Sequence, residues 1–422
     1  MTEGLQLPVG RVPGDWKVLS LKDVTSKIGS GSTPRGGASV YVEEGASFIR
    51  SQNVLDHGFS SDGLVRINEE AAYSLRGVEV RKGDVLINIT GDSILRTCIV
   101  PDEVLPAHVS QHVAILRSNG LIEPQVLQKW LSLEVMKDFM LGHSSGGTRK
   151  ALTKGDLERF PVPVPPLVEQ RAIAGVLGAL DDKIESNRRQ HSLIEQTIEA
   201  SFQNICANFS GEYEVMGNIV EQGVSGVWGS DTQQSESEVC ITCLRGVDLH
   251  DLASGVIPTA PLRWVSSGQS ASRVPQEGEI WVEASGFRCG RSVIIGSHTN
   301  ALFDQPIRNS NFVKRLVPKI SVRHSYLAWL ALKKVYTSDE INNFRTGTSI
   351  RNLDVEGMLK NVRVPILDDA RASQLEGLLQ CLVSPSRAKE TLILENLRAA
   401  LLPELLSGRL RIKDAESMVE NV

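Results

Sequence analysis

Apolar residues recur at alternating steps of four and three along one stretch of this chain, residues 161–202. That spacing is typical of a coiled-coil seam, and charged or amide side chains fill the other faces of the stretch. Four prolines between Pro161 and Pro166 keep the approach extended, because proline disfavours helix at the residue before it. The pattern predicts a helix over Leu167–Ser201, roughly 50 Å long at 1.5 Å per residue. The predicted seam consists of Ile173, Leu177, Leu180, Ile184, Asn187, His191, Ile194 and Ile198.

A surface helix with one apolar stripe is the plain alternative to a coiled coil, since it shows similar spacing. Two observations favour a paired helix. Asn187 and His191 lie in the seam itself, where a polar residue lowers stability but fixes the register and the partner. A similar arrangement also recurs near the C-terminus. We therefore predict a spacer helix with a block of similar size on each side.

The chain carries an internal repeat of about 200 residues. Ser30-Gly31 matches Ser225-Gly226 at an offset of 195, and Arg171-Ala172 matches Arg371-Ala372 at an offset of 200. Matches in one order, with offsets that drift so little, are hard to obtain by chance. The repeat predicts an α+β protein made of two duplicated mixed α/β globular domains, each followed by a long helix.

Short apolar runs between glycine turns predict strands in the first block, and a helical pattern follows them. The expected elements are strands at Ser47–Arg50, Gly83–Thr90 and His112–Leu116, and a helix at Pro124–Leu141. The second arm departs from the first, because Pro385 interrupts its seam. We expect a broken arm with a new helix over Ser386–Leu402, and Gly408 closes that arm. The predicted division is 1–160 and 203–364 for the globular domains, 161–202 and 365–412 for the arms, and 413–422 for a disordered tail.

Composition narrows the class of protein. There are 45 basic and 50 acidic residues, so the net charge is −5. The apolar runs are too short for a membrane span, and the N-terminal residues lack the apolar core of a signal peptide, so we expect a cytoplasmic protein. Cys240 and Cys243 form a C-x-x-C pair, but no second pair follows at zinc-finger spacing. Free thiols are therefore favoured over structural zinc.

Catalytic signatures are missing from the sequence. The chain has no Gly-Lys dipeptide, which a phosphate-binding P-loop requires. The glycines at Gly29 and Gly31 begin like a dinucleotide-binding loop, but the third glycine is absent. The chain also lacks an Asn-Pro-Pro-aromatic or Asp-Pro-Pro-aromatic run, so it offers no argument for methylating DNA bases itself. We predict no catalytic and no metal-ligating residue.

The loops of both blocks carry arginine beside glycine, serine, threonine or asparagine. Between Phe303 and Arg351 there are nine basic and three acidic residues, so a net acidic chain is locally basic. Such a surface suits a protein that meets phosphates on one face, and arginine and asparagine can read guanine and adenine edges. For any single arginine, a solvated surface residue is the alternative. The candidate DNA-contacting residues are Ser32, Thr33, Arg35, Arg50, Asn53, Asp92, Arg96, Arg149 and Lys150 in the first block, and Arg245, Arg288, Arg291, Thr348 and Arg351 in the second.

The stretch PVPVPPLVEQRAIAGVLGALDDKIESNRRQ resembles the central region of type I restriction-modification specificity subunits. Ser30–Pro34, Lys82–Leu86 and Leu401–Arg409 are similar to other characteristic segments of that family. The resemblance covers nearly the whole chain. It implies two target-recognition domains, each reading one half of a bipartite, asymmetric site in double-stranded DNA. It also implies that the two long helices pack as an antiparallel coiled coil and set the gap between the half-sites.

The resemblance further implies partners and a division of labour in phage defence. The family binds two DNA methyltransferase subunits and two restriction nuclease-translocase subunits, and the complex methylates adenine and cleaves DNA with ATP. The chain itself would be non-catalytic, so S-adenosylmethionine, ATP and magnesium would belong to the partner subunits. The alternative from another class is a coiled-coil adaptor or scaffold of a phage-defence complex, which binds protein and reads no DNA sequence.

Overall fold

The chain divides into two compact units, one formed by Met1–Asp182 with Glu395–Val422 and the other by Lys183–Leu394. The predicted tail, residues 413–422, lies outside the described residues. The structure is a computed structural model that describes residues 7–56, 58–142, 151–296, 299–347, 351–383, 385–410 and 412.

The first unit is rich in short strands. Its strands are β1 (Lys17–Ser20), β2 (Thr25–Ser30), β3 (Tyr41–Val42), β4 (Ala46–Ile49), β5 (Val54–Leu55), β6 (Gly58–Phe59), β7 (Val65–Ile67), β8 (Glu79–Val80), β9 (Val85–Asn88), β10 (Thr97–Ile99), β11 (Ala107–Val109), β12 (Val113–Ser118) and β13 (Pro161–Val164). The helices up to the unit boundary are α1 (Leu21–Val24), α2 (Glu69–Ser74), α3 (Pro124–Ser132), α4 (Glu134–Gly142) and α5 (Lys154–Arg159), and α6 (Leu167–Ala207) runs across the boundary.

The second unit repeats this layout. Its strands are β14 (Tyr213–Val215), β15 (Val220–Gln222), β16 (Glu238–Leu244), β17 (Leu262–Ser266), β18 (Glu279–Glu283), β19 (Ser292–Ile295), β20 (Ile307–Asn309), β21 (Val313–Pro318), β22 (Arg345–Thr346), β23 (Asn352–Leu353) and β24 (Arg363–Pro365). The remaining helices are α7 (Met216–Ile219), α8 (Asp248–Ala253), α9 (Ser267–Ala271), α10 (Val322–Thr337), α11 (Val355–Asn361), α12 (Asp369–Val383) and α13 (Pro385–Ser407).

Two sheets share the main β core of the first unit. One has the order β10-β9-β12-β2 and is antiparallel; the other has the order β3-β7-β4-β11-β8, in which β11 runs parallel to β4. Leu86 and Ile115 from the first sheet and Ile49 from the second lie in one apolar cluster, and each is 0% exposed. Burial on both faces explains why β9 reads as a continuous apolar run rather than as an alternation.

The second unit keeps the strand order of the antiparallel sheet, while its second sheet has three strands instead of five. Its antiparallel sheet is β19-β18-β21-β15, and in its second sheet β16 pairs antiparallel with β17 and parallel with β20. These pairings correspond to β4 with β7 and β11 in the first unit. The β14–β24 pair likewise corresponds to the β1–β13 pair. The predicted α+β class with a duplicated mixed domain is confirmed.

One predicted helix is two helices in the structure. The sequence predicts an unbroken helix over Pro124–Leu141, but α3 ends at Ser132 and α4 begins at Glu134. Leu133 lies between them with φ −59° and ψ 131°, outside the helical region, and it is buried. No glycine or proline marks this break, so packing rather than local sequence sets it.

The long helix begins at Leu167, as predicted, directly after the extended segment that forms β13. It runs on to Ala207 instead of ending at Ser201, because Phe202 packs into the core of the second unit and is only 2% exposed. The second arm consists of α12, which ends at Val383, and α13, which begins at Pro385. Residue 384 lies outside the described residues, so the predicted break stays a prediction.

The last helix is longer than the sequence predicts. It continues to Ser407 rather than Leu402 and carries Pro403 inside it. Leu405 and Leu406 are each 1% exposed, so burial of this last turn accompanies the extension. Gly408 ends the helix with φ +72°, a left-handed conformation that glycine adopts without strain.

Candidate nucleic-acid interface

Loops gather at one edge of the antiparallel sheet in each unit. In the first unit β2 and β9 end where β12 begins, since Asn88 pairs with Val113 and Ser30 with Ala114. We call residues 31–36, 89–96 and 110–112 the first loop cluster. In the second unit β18 ends where β21 begins, and β15 ends on the same side. We call residues 223–229, 284–291 and 310–312 the second loop cluster.

The turn between the central strand and its hairpin partner has one backbone structure in both clusters. In the first, the Leu95 N–H donates to the Asn88 carbonyl at 2.8 Å and the Asn88 N–H to the Arg96 carbonyl at 2.9 Å. In the second, the Gly290 N–H donates to the Glu283 carbonyl at 2.7 Å and the Glu283 N–H to the Arg291 carbonyl at 2.8 Å. The sequence offset of 195 therefore marks equivalent positions.

In each cluster a glycine allows one loop to lie directly against another. A Cβ on Gly31 would lie 1.6 Å from the Val109 carbonyl oxygen, and a Cβ on Gly226 would lie 2.0 Å from that of Ser310. Both distances are far inside van der Waals contact, so only glycine fits. The loop after β2 and the loop after β15 are thus pressed onto the turn that precedes β12 or β21.

Several predicted DNA-contacting residues lie exposed in these clusters. Arg351 adjoins the second cluster, because its carbonyl accepts from the Gly286 N–H at 2.9 Å and its guanidinium lies 5.4 Å from the Phe287 ring centre. The exposed members are Ser32, Thr33, Arg35, Asp92 and Arg96 in the first cluster and Arg288 in the second.

Asn53 is a correction to the sequence prediction. Its side chain is fully buried, donates to the Ser60 and Asp62 carbonyls, and accepts from the Arg50 N–H at 3.0 Å. Because these bonds occupy the amide, Asn53 is not available to DNA and instead shapes the loop after β4. Arg50 itself is half-buried and donates to the Gly63 carbonyl at 2.6 Å.

Arg291 is a second correction. Its guanidinium donates to Glu283 at 2.7 Å, and only 13% of its side chain is exposed. It therefore neutralises a buried carboxylate and is not a free cation. Arg245 donates twice to Asp248, both at 2.9 Å, but keeps 40% of its side chain exposed. The Asp248 bond raises the pKa of Arg245, which leaves its charge intact.

Three predicted residues, Arg149, Lys150 and Thr348, lie outside the described residues. For them the DNA-binding interpretation stays a prediction. The backbone that follows each gap nevertheless adjoins a cluster: Thr90 bridges to Ala151, and Ser285 bridges to Asn352.

The apolar seam residues of α6 are largely buried. Asn187, also buried, donates to Glu390 at 2.9 Å and to the Thr391 hydroxyl at 3.2 Å, both on α13. Further along α6, Ile198 shares one core with Leu375 and Leu379 of α12. Within the second unit α6 therefore runs antiparallel to the second arm. Ile173, Leu177, Leu180, Ile184 and Ile198 are each at most 2% exposed, and Ile194 is half-buried against the same core as Ile198.

His191 lies in the seam pattern, but its ring is hydrogen-bonded to the globular part of the second unit. Its Nε2 donates to the Ala253 carbonyl at 2.9 Å, at the end of α8. Within the second unit the seam thus meets the globular part at His191 and the helical arm on both sides of it, at Asn187 and at Ile198. In the first unit Asp181 accepts from Lys129 of α3 and, at 2.9 Å, from Arg398 of α13.

Exposed aromatic side chains of the second cluster were not predicted from the sequence. Phe287 is 80% exposed and Phe312 is 60% exposed. Trp228 is partly exposed, with the Arg263 guanidinium 4.3 Å from its ring centre. The signal for Phe287 and Trp228 was an aromatic residue beside glycine in a turn, which sequence patterning treats as an ordinary surface position; Phe312 has no such neighbour.

The buried thiols are poor candidates for chemistry. Burial raises the pKa of Cys98 to about 12 and that of Cys243 to about 11, so both stay protonated at neutral pH. Within the described residues, no group of three His, Cys, Asp or Glu side chains is placed to hold a metal ion. In the same part of the chain, no helix combines the length and apolar character needed to cross a membrane.

Comparison with known proteins shows which proteins this chain is similar to. Residues 13–196 match the type I restriction modification DNA specificity domain family. The chain is 22% identical to the type I restriction enzyme MjaIX specificity subunit of Methanocaldococcus jannaschii, with 98% of each chain covered. It is 29% identical to the EcoBI specificity subunit of Escherichia coli over 40% of this chain and 36% of that one.

A solved structure shows the same fold. The S subunit of a type I restriction-modification system from M. genitalium superposes with a TM-score of 0.59, at 13% identity, and covers 95% of this chain and 99% of that one. Together with the sequence relatives, this confirms the resemblance to type I restriction-modification specificity subunits.

Proposed function

We propose that this chain is the DNA sequence-specificity subunit of a type I restriction-modification complex. Each loop cluster reads one half of a bipartite, asymmetric site in double-stranded DNA. One observation carries the proposal: two loop clusters share a backbone scaffold but present different side chains to solvent. A duplicated scaffold with divergent tips suits a protein that must recognise two unlike sequences.

The proposal includes the partners and leaves catalysis to them. The chain positions two methyltransferase subunits and two nuclease-translocase subunits on DNA in the cytoplasm, and it performs no reaction itself. S-adenosylmethionine, ATP and magnesium act in those partner subunits. The names of the relatives, which are specificity subunits of restriction enzymes, support this division.

A methylome tests the proposal directly. The gene is expressed with its methyltransferase partner in a host without other adenine methylation, and methylated adenines are mapped by long-read sequencing. We expect one bipartite motif with two unlike halves. Replacing residues 1–160 with the matching block of a relative should change one half and leave the other intact. Methylation without any bipartite motif would contradict the proposal and favour the adaptor alternative.

Binding at increasing salt separates the same alternatives. Contacts to phosphates release counterions, so the affinity of the methyltransferase complex for duplex DNA should fall steeply as salt rises. An adaptor that reads no DNA would leave the salt dependence to its partners, and exchanging loop residues of this chain would not change it.

We further propose that α6 and the second arm set the unspecified gap between the half-sites. The seam contacts suggest how to lengthen both arms in register: Asp181 pairs with Arg398, and Asn187 pairs with Thr391. Seven residues inserted after Asp182 and seven after Leu394 keep the heptad phase. Each arm then grows by roughly 10 Å.

The methylome of this double insertion reports the gap. Since B-DNA rises 3.4 Å per base pair, we expect a gap about three base pairs longer with both half-sites unchanged. Insertion after Asp182 alone is the control, because it takes Asn187 out of register with α13 and should lower stability. An active doubly extended complex with the original gap would rule out the ruler.

A further inference from the structure

Two exposed phenyl rings stand at one sheet edge of the second unit. Phe287 occupies the turn between β18 and β19, and Phe312 immediately precedes β21. The two segments are joined at their base, since the Ala284 N–H donates to the Phe312 carbonyl at 2.8 Å. With exposures of 80% and 60%, the rings have little of their surface covered by the protein. An unburied ring at a loop tip leaves its apolar surface available to a ligand.

The charge around these rings favours a polyanion as that ligand. Arg288 is exposed beside Phe287, and Arg351 lies with its guanidinium 5.4 Å from the Phe287 ring centre. The nearby carboxylate of Glu283 is buried and bonded to Arg291, so it adds no exposed negative charge. Cations that flank an apolar tip match phosphates that flank a base step.

Duplex DNA offers an apolar surface to such a tip where two bases are unstacked. Proteins that insert phenylalanine or leucine between base pairs use this surface and kink the duplex as they do so. The equivalent tip of the first cluster cannot do the same. There Asp92 occupies the position of Phe287, and His112 occupies that of Phe312.

We infer that Phe287 is an aromatic wedge that enters one base step of the half-site read by the second unit, with Phe312 packed against the opened step. This inference rests on the proposed function and adds a mode of reading to it. The second half-site is recognised partly through how easily its sequence unstacks, whereas the first is read through polar contacts alone. Pyrimidine–purine steps unstack most easily, so we expect such a step in the second half-site.

The test uses the complex of the full chain with its methyltransferase partner. The wild-type methylome first defines both half-sites, and exchange of residues 203–364 identifies the half read by the second unit. Failure at this stage is failure of the proposed function, not of the wedge. Duplexes that carry 2-aminopurine at successive positions of each half then report unstacking through a rise in fluorescence.

We expect wild-type protein to raise the fluorescence at one step of the second half-site. Phe287→Ala should abolish that rise and weaken binding roughly tenfold, because stacking on a base is lost. Phe287→Tyr keeps a ring and should retain the signal. Tyr73→Ala is the matched control: Tyr73 is 70% exposed with the Arg76 guanidinium 4.5 Å from its ring centre, but it lies on α2, outside both clusters.

Two outcomes would overturn the wedge. One is unchanged affinity and unchanged fluorescence in the Phe287→Ala, Phe312→Ala double variant. The other is lost discrimination at a thymine with no 2-aminopurine signal in wild type, which would assign the ring to the thymine methyl group instead. Thermal melting confirms that each variant folds; if the double variant does not, the single variants Phe287→Ala and Phe312→Ala are measured instead, and unchanged affinity and fluorescence in both would overturn the wedge.

Discussion

The two loop clusters share one backbone structure but expose different kinds of side chain. Both turns close with the same pair of backbone hydrogen bonds, and both are clamped by a glycine that touches a backbone carbonyl. The first cluster exposes Asp92 and Arg96, while the second exposes Phe287 and Arg288. The comparison teaches that backbone bonds and glycines fix where a recognition loop stands. The outward-pointing side chains do not determine the fold of the loop and can therefore differ between the two clusters.

In the interior of the two units, by contrast, the same kind of side-chain interaction is kept in both. A carboxylate at the start of the central strand is paired with an arginine of the neighbouring strand in both units, Asp84 with Arg117 and Glu279 with Arg315. The partners occupy non-equivalent positions, yet the charge is neutralised in each case. A buried carboxylate needs such a partner, so the ion pair is present in both units although the arginine occupies a different position in each.

The clamping glycines should give the largest effect of any single substitution. Gly31→Ala or Gly226→Ala places a Cβ within 2.0 Å of a carbonyl oxygen, so the loop must move away from the sheet edge. We expect a loss of more than about 4 kcal/mol in the free energy of unfolding of the affected unit. Denaturant unfolding measures it. Gly29→Ala is the control, since a Cβ there meets nothing within 4 Å, and it should change stability by less than about 0.5 kcal/mol.

The second-largest expected effect comes from breaking the buried ion pairs, and the loss of stability should differ between the two units. Arg315→Met leaves Glu279 buried and unpaired, with the pair only 5% and 0% exposed, and should cost about 3–5 kcal/mol. Arg117→Met should cost less, about 1–3 kcal/mol, because Arg117 is 19% exposed and water can reach the Asp84 carboxylate once the guanidinium is gone. The remaining hydrogen bonds do not favour Asp84, since Asp84 accepts from the Arg81 N–H at 2.8 Å while Glu279 accepts from the Gln276 N–H at 3.0 Å and from Trp281 Nε1 at 2.8 Å. Combining Arg315→Met with Glu279→Gln should recover part of the loss. Equal losses in both single variants would refute the distinction.

Exposed arginines of the clusters should affect binding without affecting stability. Arg96→Ala and Arg288→Ala are each expected to weaken DNA binding, by about 1–3 kcal/mol of discrimination if the residue reads a base. If it contacts a phosphate, the salt slope should fall by about one. Each change should be confined to one half-site. Arg76→Ala, an exposed arginine outside the clusters, is the control and should leave both half-sites as they are.

The sequence predicted features that local chemistry determines. Prolines mark the start of α6, Pro385 is the first residue of α13, and the heptad spacing marks the buried face of α6. The repeat was visible because glycines at special positions, such as Gly31 and Gly226, are held by geometry rather than by function. These signals depend on neighbours in the chain and can therefore be read from it.

Features that depend on distant neighbours could not be read. Asn53 and Arg291 look like loop residues free to meet DNA, but partners brought in by folding bury them. The break at Leu133 has no glycine or proline, and the His191 ring donates to a carbonyl at the end of α8. Whether Phe287 is exposed or buried was equally undetermined, since a phenylalanine in a turn is compatible with both.

The smallest expected effect is a pH dependence confined to the first unit. His108 lies in β11 and Arg308 in β20, each the middle residue of an equivalent strand and each about 5% exposed. Burial lowers the pKa of His108 from its ordinary 6.5, and Glu79 on the neighbouring strand opposes this only in part. Arg308 stays charged throughout the physiological range, because a guanidinium titrates far above it.

The sign follows from the lowered pKa. Above pH 6.5 both folded and unfolded forms of His108 are neutral, so the histidine contributes no pH dependence. As pH falls below that value the unfolded chain binds a proton first, and the first unit loses stability at up to about 1.4 kcal/mol per pH unit. Hydrogen exchange of residues 107–118 at pH 7.5 and 5.5, corrected for the intrinsic rate, should show this loss. Residues 307–318 serve as the internal control, and His108→Gln should remove the difference between the units; a difference that survives this substitution would assign the pH dependence to another group.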